Sequence, residues 1–309
     1  MSAERGAPAA TIAIVTKNRR DDVRRALASA VRQEGDYEVL VVDDGSEDGT
    51  PDMIRSDFPS VRLECRSSSG GVCVARNHAY EIARSEIVVQ IDDDSEFSSP
   101  GIVAQTLRDL RHARFSAVGI PYIDMRVGPE LLHRAPEDTG VWVLPTFRGC
   151  AVAIRRADFL ALGGYRSAVF HQGEEIDFTL RMLDAGMLIR AGRADPVYHH
   201  ETEVARSRRK MAVYGRRNEI LLSFTLYPFP GSAGMAAGYA VKSLTRAFPN
   251  EFSRNTMRGI AMGVGDAWRL RGQRRPISWR AFVLDRRLRL AGSLPLEHVE
   301  RWAPSRPGR

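Results

Sequence analysis

Cysteine is scarce in this 309-residue chain: there are three, Cys65, Cys73 and Cys150, an odd number without metal-ligand spacing. That argues against a disulfide framework and against a zinc module, and it fits a reducing cytoplasm. Neither G-x-G-x-x-G nor G-x-x-x-x-G-K-[ST] occurs, so the two common glycine-rich phosphate cradles are excluded. The first residues, "MSAERGAPAATIAIVTKN", hold no long apolar core with a cleavage site, and no secretory leader is expected. An unbroken membrane-spanning run is also missing. Residues 220–241 are uncharged and long enough to tempt such a reading, but Pro228, Pro230, Gly231, Ser232 and Gly234 interrupt them. Two helices joined by a turn, partly buried or lying along a membrane surface, are expected there instead. Acid is short in one region only. Residues 205–309 carry 21 Lys/Arg and 6 Asp/Glu, which leaves 24 and 32 for residues 1–204. A basic tail attracts phosphates on a nucleotide, a lipid or a nucleic acid, or is a solvated surface. No nucleic-acid-binding module or interleaving of aromatics accompanies it, so no nucleic-acid partner is expected.

What is present is an ordinary globular composition, 43% apolar and 27% charged, enough for one large domain or two small ones. "TIAIVTKN" (11–18) reads as a strand. "DDVRRALASAVRQ" (21–33) has helical apolar spacing, with Asp21 available as N-cap. A strand over 39–42 then runs into the acidic loop "DDGSEDGT", and "GGVCVARNHAYEIARS" opens a helix on a glycine pair. "EIVVQI" is the next strand. That alternation predicts an α/β fold, a mostly parallel sheet covered by helices, with the functional loops at the carboxyl ends of its strands. Thr16, Asn18, Asp43, Asp44, Ser46 and the run 92–94 all fall at such ends. Further on, a helix at 105–113, one strand over 115–125, a loop at 126–140 and a strand and helix over 149–165 are expected. A helix from 174 with Gly186 as its stop and a short strand in "DPVYHHE" follow. We place a boundary near 204, beyond which the pattern is helical and Arg-rich.

The stretch "IVVQIDDDSEF" (87–97) poses the chemical question. A buried strand stops at Asp92, Asp93 and Asp94, three like charges that repel one another. Side chains at i and i+2 of an extended segment share a side, so Asp92 and Asp94 can converge while Asp93 faces elsewhere. Two oxygen ligands on one side suit Mg²⁺ or Mn²⁺, which keep other positions for water and substrate phosphates.

In several ordered motifs the chain resembles a family 2 glycosyltransferase with the GT-A fold, over roughly residues 10–220. "TIAIVTKNR" is similar to the family's opening strand, "VVDDGSEDGT" to its nucleotide-binding loop, and "GVCVARNHA" to the next helix. "VVQIDDDSEF" is similar to the metal-binding D-x-D strand. "GCAVAIRRADFLALGGY", "GEEIDFTLRML" and "VYHHE" resemble the acceptor-side half in its usual order. The resemblance implies a catalytic domain over 1–204, with a nucleotide-binding half at about 10–100 and an acceptor half at about 101–204. A helical, basic region over 205–309 follows it.

The resemblance also implies roles. Asp43 would accept the ring N–H of the donor's base, and Arg76 and Asn77 would contact the sugar nucleotide. A cation on Asp92 and Asp94 would offset charge on the departing diphosphate. His199 or His200 would be a further ligand; alternation lets only one face the metal, and His199 is favoured. Where relatives carry E-D-x-D, this chain reads Glu174-Glu175-Ile176-Asp177, so Glu175 stands at the base position, with Glu174 and Asp177 as substitutes. Gly163, Gly164 and Tyr165 resemble the turn opening the acceptor loop, and "YRSAVFHQG" could close over the donor. The implied activity is an inverting, hexosyltransferase-type transfer from a nucleoside-diphosphate sugar to an acceptor hydroxyl. A retaining enzyme of similar fold and a non-catalytic sugar-nucleotide-binding scaffold are the alternatives. An anionic membrane surface and a second copy are the further partners considered.

Overall fold

The computed structural model describes residues 7–169, 172–202, 207–247 and 252–306. In chain order the elements of the first half are β1 (Ala10–Thr16), α1 (Arg20–Ala30), β2 (Tyr37–Asp43), α2 (Thr50–Asp57), β3 (Arg62–Cys65), α3 (Val72–Ile82), β4 (Ile87–Asp92), β5 (Ser95–Phe97), α4 (Ile102–Leu110), β6 (Phe115–Gly119) and β7 (Tyr122–Asp124). Then come β8 (Leu131–Leu132), β9 (Trp142–Leu144), β10 (Val152–Arg155), α5 (Arg156–Ala161), α6 (Glu174–Asp184), β11 (Leu188–Ala191) and β12 (Val197–His199). The remainder is α7 (Arg208–Leu226), α8 (Gly231–Ala247), α9 (Phe252–Arg269), α10 (Trp279–Ala291), β13 (Leu294–Pro295) and α11 (Leu296–Glu300).

Nine strands form one sheet in the order β13-β9-β11-β6-β10-β4-β1-β2-β3, and β5-β12-β7-β8 form a small second sheet. Seven strands of the large sheet run one way, with β9 and β10 reversed. This is the mostly parallel, helix-covered sheet that the sequence predicts. β1 and β4 are apolar almost throughout because both faces of the sheet are covered. One core lies between the sheet and α1, α2 and α4, a second between the sheet and α3, α5 and α6. A third joins α6 and β11 to the carboxy-terminal helices. β13 pairs with β9, so the carboxy-terminal region also contributes a strand to the large sheet.

Several sequence expectations need correction. Asp21 is not the N-cap of α1: Arg19 holds that position, and Asp21 lies in the first turn beside Arg24. The single strand expected over 115–125 is two strands in different sheets. Pro121, which has no N–H to donate, sits between them. The loop at 126–140 contains the two-residue β8. α2, β3, β5, β9, β11 and β13 are additions; each is short, and β3 is only half-buried, so its apolar signal is weak. The strand that ends at Asp92 is therefore the fourth in the chain. No described helix is long and apolar enough to cross a membrane.

Candidate active site

Parallel register brings three strand ends together. Thr16 lies opposite Asp43 of β2, and Val15 lies opposite Asp92 of β4. Beyond β4 the side chains alternate. Asp92 and Asp94 turn towards His199 of β12, and one ligand atom from each of the three lies within 4.8 Å of the others. β12 is brought there by antiparallel pairing with β5, which sets His199 opposite Ser95. His199 Nε2 is buried 3.3 Å from Asp94 Oδ1 without hydrogen-bond alignment. Burial alone would lower its pKa, but Asp94, Cys150 and Asp92 outweigh that and hold it up at about 11. His200 is outside the group, with its Nε2 3.1 Å from Glu96 Oε2. Asp93 faces the other way. Its Oδ2 accepts from Thr16 Oγ1 at 2.9 Å and its Oδ1 from Arg19 Nη1 at 2.8 Å. Burial, aided by Asp94 and Asp92, pushes the Asp93 carboxyl up to about 7 despite Arg19. Two carboxylates and an imidazole facing one point, one of them an orphaned buried nitrogen, fit a divalent cation of the Mn²⁺ or Mg²⁺ kind. A second group, Asp124, His199 and Glu201, shares the histidine.

The loop after β2 is built around two different carboxylates. Asp43 is 1% exposed; its Oδ2 accepts from Ser46 N at 2.9 Å, while its Oδ1 is buried without a partner. Asp44 is fully engaged, accepting from Ser69 Oγ at 2.6 Å and from Gly70 N and Gly71 N at 2.9 Å. Burial opposes its ionisation, yet these bonds and Arg66 bring its pKa below the usual value. Asp44 thus ties this loop to the start of α3, while Asp43 Oδ1 stays buried and unpartnered behind it; of the two, only Asp44 lines the cleft described below. Asn18, at φ +52°, completes the edge: its N–H donates to Ser46 Oγ at 2.8 Å and its Oδ1 accepts from Glu47 N at 2.8 Å.

Arg76 and Asn77 both face inward from α3. The Arg76 guanidinium lies 2.5 Å from Asp92 Oδ1 and 3.0 Å from Glu174 Oε1, and the residue is 5% exposed. It links the tip of β4 to the first turn of α6. Gly149 closes over it: a Cβ there would meet Arg76 Nη2 at 2.7 Å. Asn77 clasps Tyr165, donating to its carbonyl and accepting from its N–H, both at 2.8 Å. Gly164, at φ +63°, lies so close beneath that a Cβ would meet Asn77 Oδ1 at 2.5 Å. Only glycine fits both the angle and the space. Gly163, Gly164 and Tyr165 are thereby a braced turn, with the Tyr165 ring packed against Phe159 and Phe178.

The three acids of α6 are unlike one another. Asp177 is fully buried and gripped by Arg166 and by Arg181, whose Nη2 lies 2.8 Å away. Glu174 is buried against Arg76, and burial together with Glu175 pushes its pKa up to about 7. Glu175 is half-buried, accepts from Gly149 N at 3.3 Å and lines the cleft.

That cleft, about 850 Å³, runs from Thr16, Asn18 and Asp44 past 92–94 and His199 to Glu174, Glu175 and α7. Asn77, Gly163 and Tyr165 instead border a separate surface pocket of about 500 Å³. Sequence reasoning missed Arg19, Asp124, Arg148 and Glu201, which also line the cleft. Arg19 could have been found, since it follows a strand end already singled out. The other three are brought in by the small sheet and by the β9–β10 connection, which leave no pattern in the sequence. Of the loop 165–173, Phe170 and His171 lie outside the described residues. Its remainder is held by Arg217, which donates to Ala168 O, and by Asn218, which donates to Gln172 O at 2.5 Å.

The geometry can be set beside known proteins. Residues 11–155 match the family model described as glycosyl transferase family 2. Glycosyltransferase SunS of Bacillus phage SPbeta is 31% identical over 123 residues, 39% of this chain and 29% of that protein. The chain thus spans under a third of that curated relative in the part that matches. Among solved structures, the mannosyltransferase PcManGT from Pyrobaculum calidifontis in complex with GDP-Man and Mn²⁺ has a TM-score of 0.57. It is 19% identical, over 85% of this chain and 88% of that one. GalNAc-T7 with UDP, GalNAc and Mn²⁺ has a TM-score of 0.60 at 15% identity, over 82% of this chain and 54% of that one. Residues 11–155 thus resemble glycosyl transferase family 2, and the chain shares the GT-A fold of these solved neighbours.

Proposed function

We propose that the protein transfers a sugar from a nucleoside-diphosphate donor to an acceptor hydroxyl with inversion at the anomeric carbon. The observation that carries this reading is the convergence of Asp92, Asp94 and His199 on the wall of the cleft that also holds Glu175. Those three residues would hold Mn²⁺ or Mg²⁺, and a cation there supplies Lewis-acid compensation for the diphosphate as it leaves. The solved neighbours with Mn²⁺ and nucleotide support the same assignment.

The rest is chemistry of the chain itself. Asp43 Oδ1, buried and unpartnered, is an acceptor waiting for the ring N–H of a nucleotide base. Glu175 is the base for the acceptor hydroxyl. Asp177 is clamped by two arginines and Glu174 is paired with Arg76, whereas Glu175 is accessible from the cleft. Arg76 serves by position, holding Asp92 and the start of α6 in one frame. Residues 1–204 carry the donor and base groups, and α7 of the carboxy-terminal region closes the cleft on the acceptor side.

The test is a panel of nucleotide sugars incubated with Mn²⁺, with and without chelator, and with hydroxyl acceptors. Release of the nucleoside diphosphate that stops on chelation, with an inverted product by NMR, is the expected outcome. Retained configuration would overturn the single-displacement reading. Tight binding without turnover across the panel would leave only a sugar-nucleotide scaffold.

A further inference from the structure

The carboxy-terminal helices carry a surface that sugar transfer does not explain. α9 packs on α7 through its small residues. A Cβ at Gly259 would lie 2.5 Å from Val213 O, and one at Gly263 would lie 2.7 Å from Arg217 O, so the two backbones are in close approach. With that side committed to α7, the opposite side of α9 faces solvent. It is apolar: Met257, Val264 and Trp268 are 52%, 59% and 70% exposed, with Ala261 exposed between them. Positions 257, 261, 264 and 268 fall within one narrow stripe of a 3.6-residue helix.

The flank of the stripe is basic. Arg254, Arg258 and Arg269 are exposed along α9, and Arg271 reaches back over the Trp268 ring at 4.6 Å. Among the described residues of α9 the single carboxylate is Asp266, which is taken up by Arg217 and Arg269. An apolar stripe with an indole, bordered by arginines and free of unpaired acid, has the character of a helix that lies in the plane of a bilayer interface.

We propose that the outer face of α9 docks the protein on an anionic lipid surface. A second copy of the chain is the poorer occupant, because a two-fold pairing of this stripe would set one row of arginines beside another. Anionic headgroups complement that row, and the indole and aliphatic side chains enter the acyl boundary. The docking is peripheral, as no described helix can span a membrane. It also has a structural consequence. The other side of α7 lines the cleft through Met211, Gly215, Asn218 and Leu222, so the lipid surface lies one helix away from the cleft wall.

The test uses the full chain and flotation with vesicles of phosphatidylcholine, with and without phosphatidylglycerol. Binding is expected only with the anionic lipid, and added salt should weaken it. Replacing Arg254 and Arg258 together by Ala should reduce it about thirtyfold, taking about 1 kcal/mol for each cation near such a surface. Trp268→Ser should reduce it about tenfold, the value of one buried aromatic side chain. Quenching of Trp fluorescence by brominated acyl chains should be lost in Trp268→Phe while binding persists. All of these side chains are exposed, so the variants should keep the native circular dichroism and donor affinity. Equal or absent binding to both vesicle types overturns the proposal. So does a dimer in sedimentation that Val264→Arg dissociates, which would make this face a contact between copies.

Discussion

Replacing Arg76 by Met removes the cation at the centre of the site and leaves two carboxylates facing its space. The Glu174 side chain is 8% exposed, and that of Asp92 is 28% exposed. Breaking a buried ion pair from one side costs about 3–5 kcal/mol, because the remaining charge is neither paired nor hydrated. Two features set the expectation at the lower end. Asp92 reaches solvent and can rehydrate. Glu174 already has its pKa raised to about 7 by burial and Glu175, with Arg76 opposing. Without Arg76 it takes up a proton near neutral pH, which caps the loss. We therefore expect Arg76→Met to cost about 3 kcal/mol, measured as the shift of the urea midpoint at constant slope. Glu174→Gln in the Arg76→Met background should return about 1–2 kcal/mol, because the buried charge is then absent. The double-mutant cycle should give a coupling of about 2 kcal/mol between the two sites. A loss below about 1 kcal/mol, with no coupling beyond about 0.5 kcal/mol, would show that the guanidinium is not holding these carboxylates together.

Other outcomes follow from the same geometry. Glu175→Gln should lower kcat by about 10²–10⁴ with donor affinity unchanged, whereas loss of donor binding with kcat retained would remove it as the base. Gly263→Ala and Gly265→Ala should differ in sign in thermal melts. The first forces a Cβ to 2.7 Å from Arg217 O and should cost about 1–3 kcal/mol; the second meets nothing within 4 Å and should gain about 0.5–1 kcal/mol. Two equal effects would contradict the close packing of α9 on α7. Stability should also fall as the pH rises between 4.5 and about 7; Asp93 contributes to that fall, and so does Glu174. Below that window both the folded and the unfolded chain hold its proton; within it only the folded chain does, and above it the ionised group remains a penalty. Glu174→Gln should flatten that part of the profile, and an unchanged slope would reject the buried assignment.

Much of the amino-terminal part of the large sheet was legible because its signals are local. The runs 11–16, 39–42 and 87–91 are apolar enough to announce buried strands, and each ends in a polar or acidic residue that must lie at the sheet edge. The i, i+2 rule was sufficient to separate Asp93 from Asp92 and Asp94, and alternation likewise separated His199 from His200. What was not legible depends on long-range pairing. The strand in "DPVYHHE" was expected, but not its partners: β5, β7 and β12 are three residues each, too short to show which pairs with which. Yet their pairing carries His199 to the tip of β4 and sets Asp124 beside it. Arg76 is a second instance. A lone arginine on an amphipathic helix reads as a surface cation or an anion contact; its two carboxylate partners lie 16 and 98 residues away in sequence. Glu174 and Glu175 are neighbours of the same type, and only packing against Arg76 and Gly149 distinguishes them.

The grouping of Asp92, Asp94 and His199 into one cation site is what the rest depends on, and Mn²⁺ titration followed by electron paramagnetic resonance tests it without reference to any sugar. One Mn²⁺ per chain should bind, and Asp94→Asn or His199→Ala should weaken it by at least about tenfold while His200→Ala leaves it intact. Unchanged affinity in Asp94→Asn, or an equal loss in His200→Ala, would contradict the account.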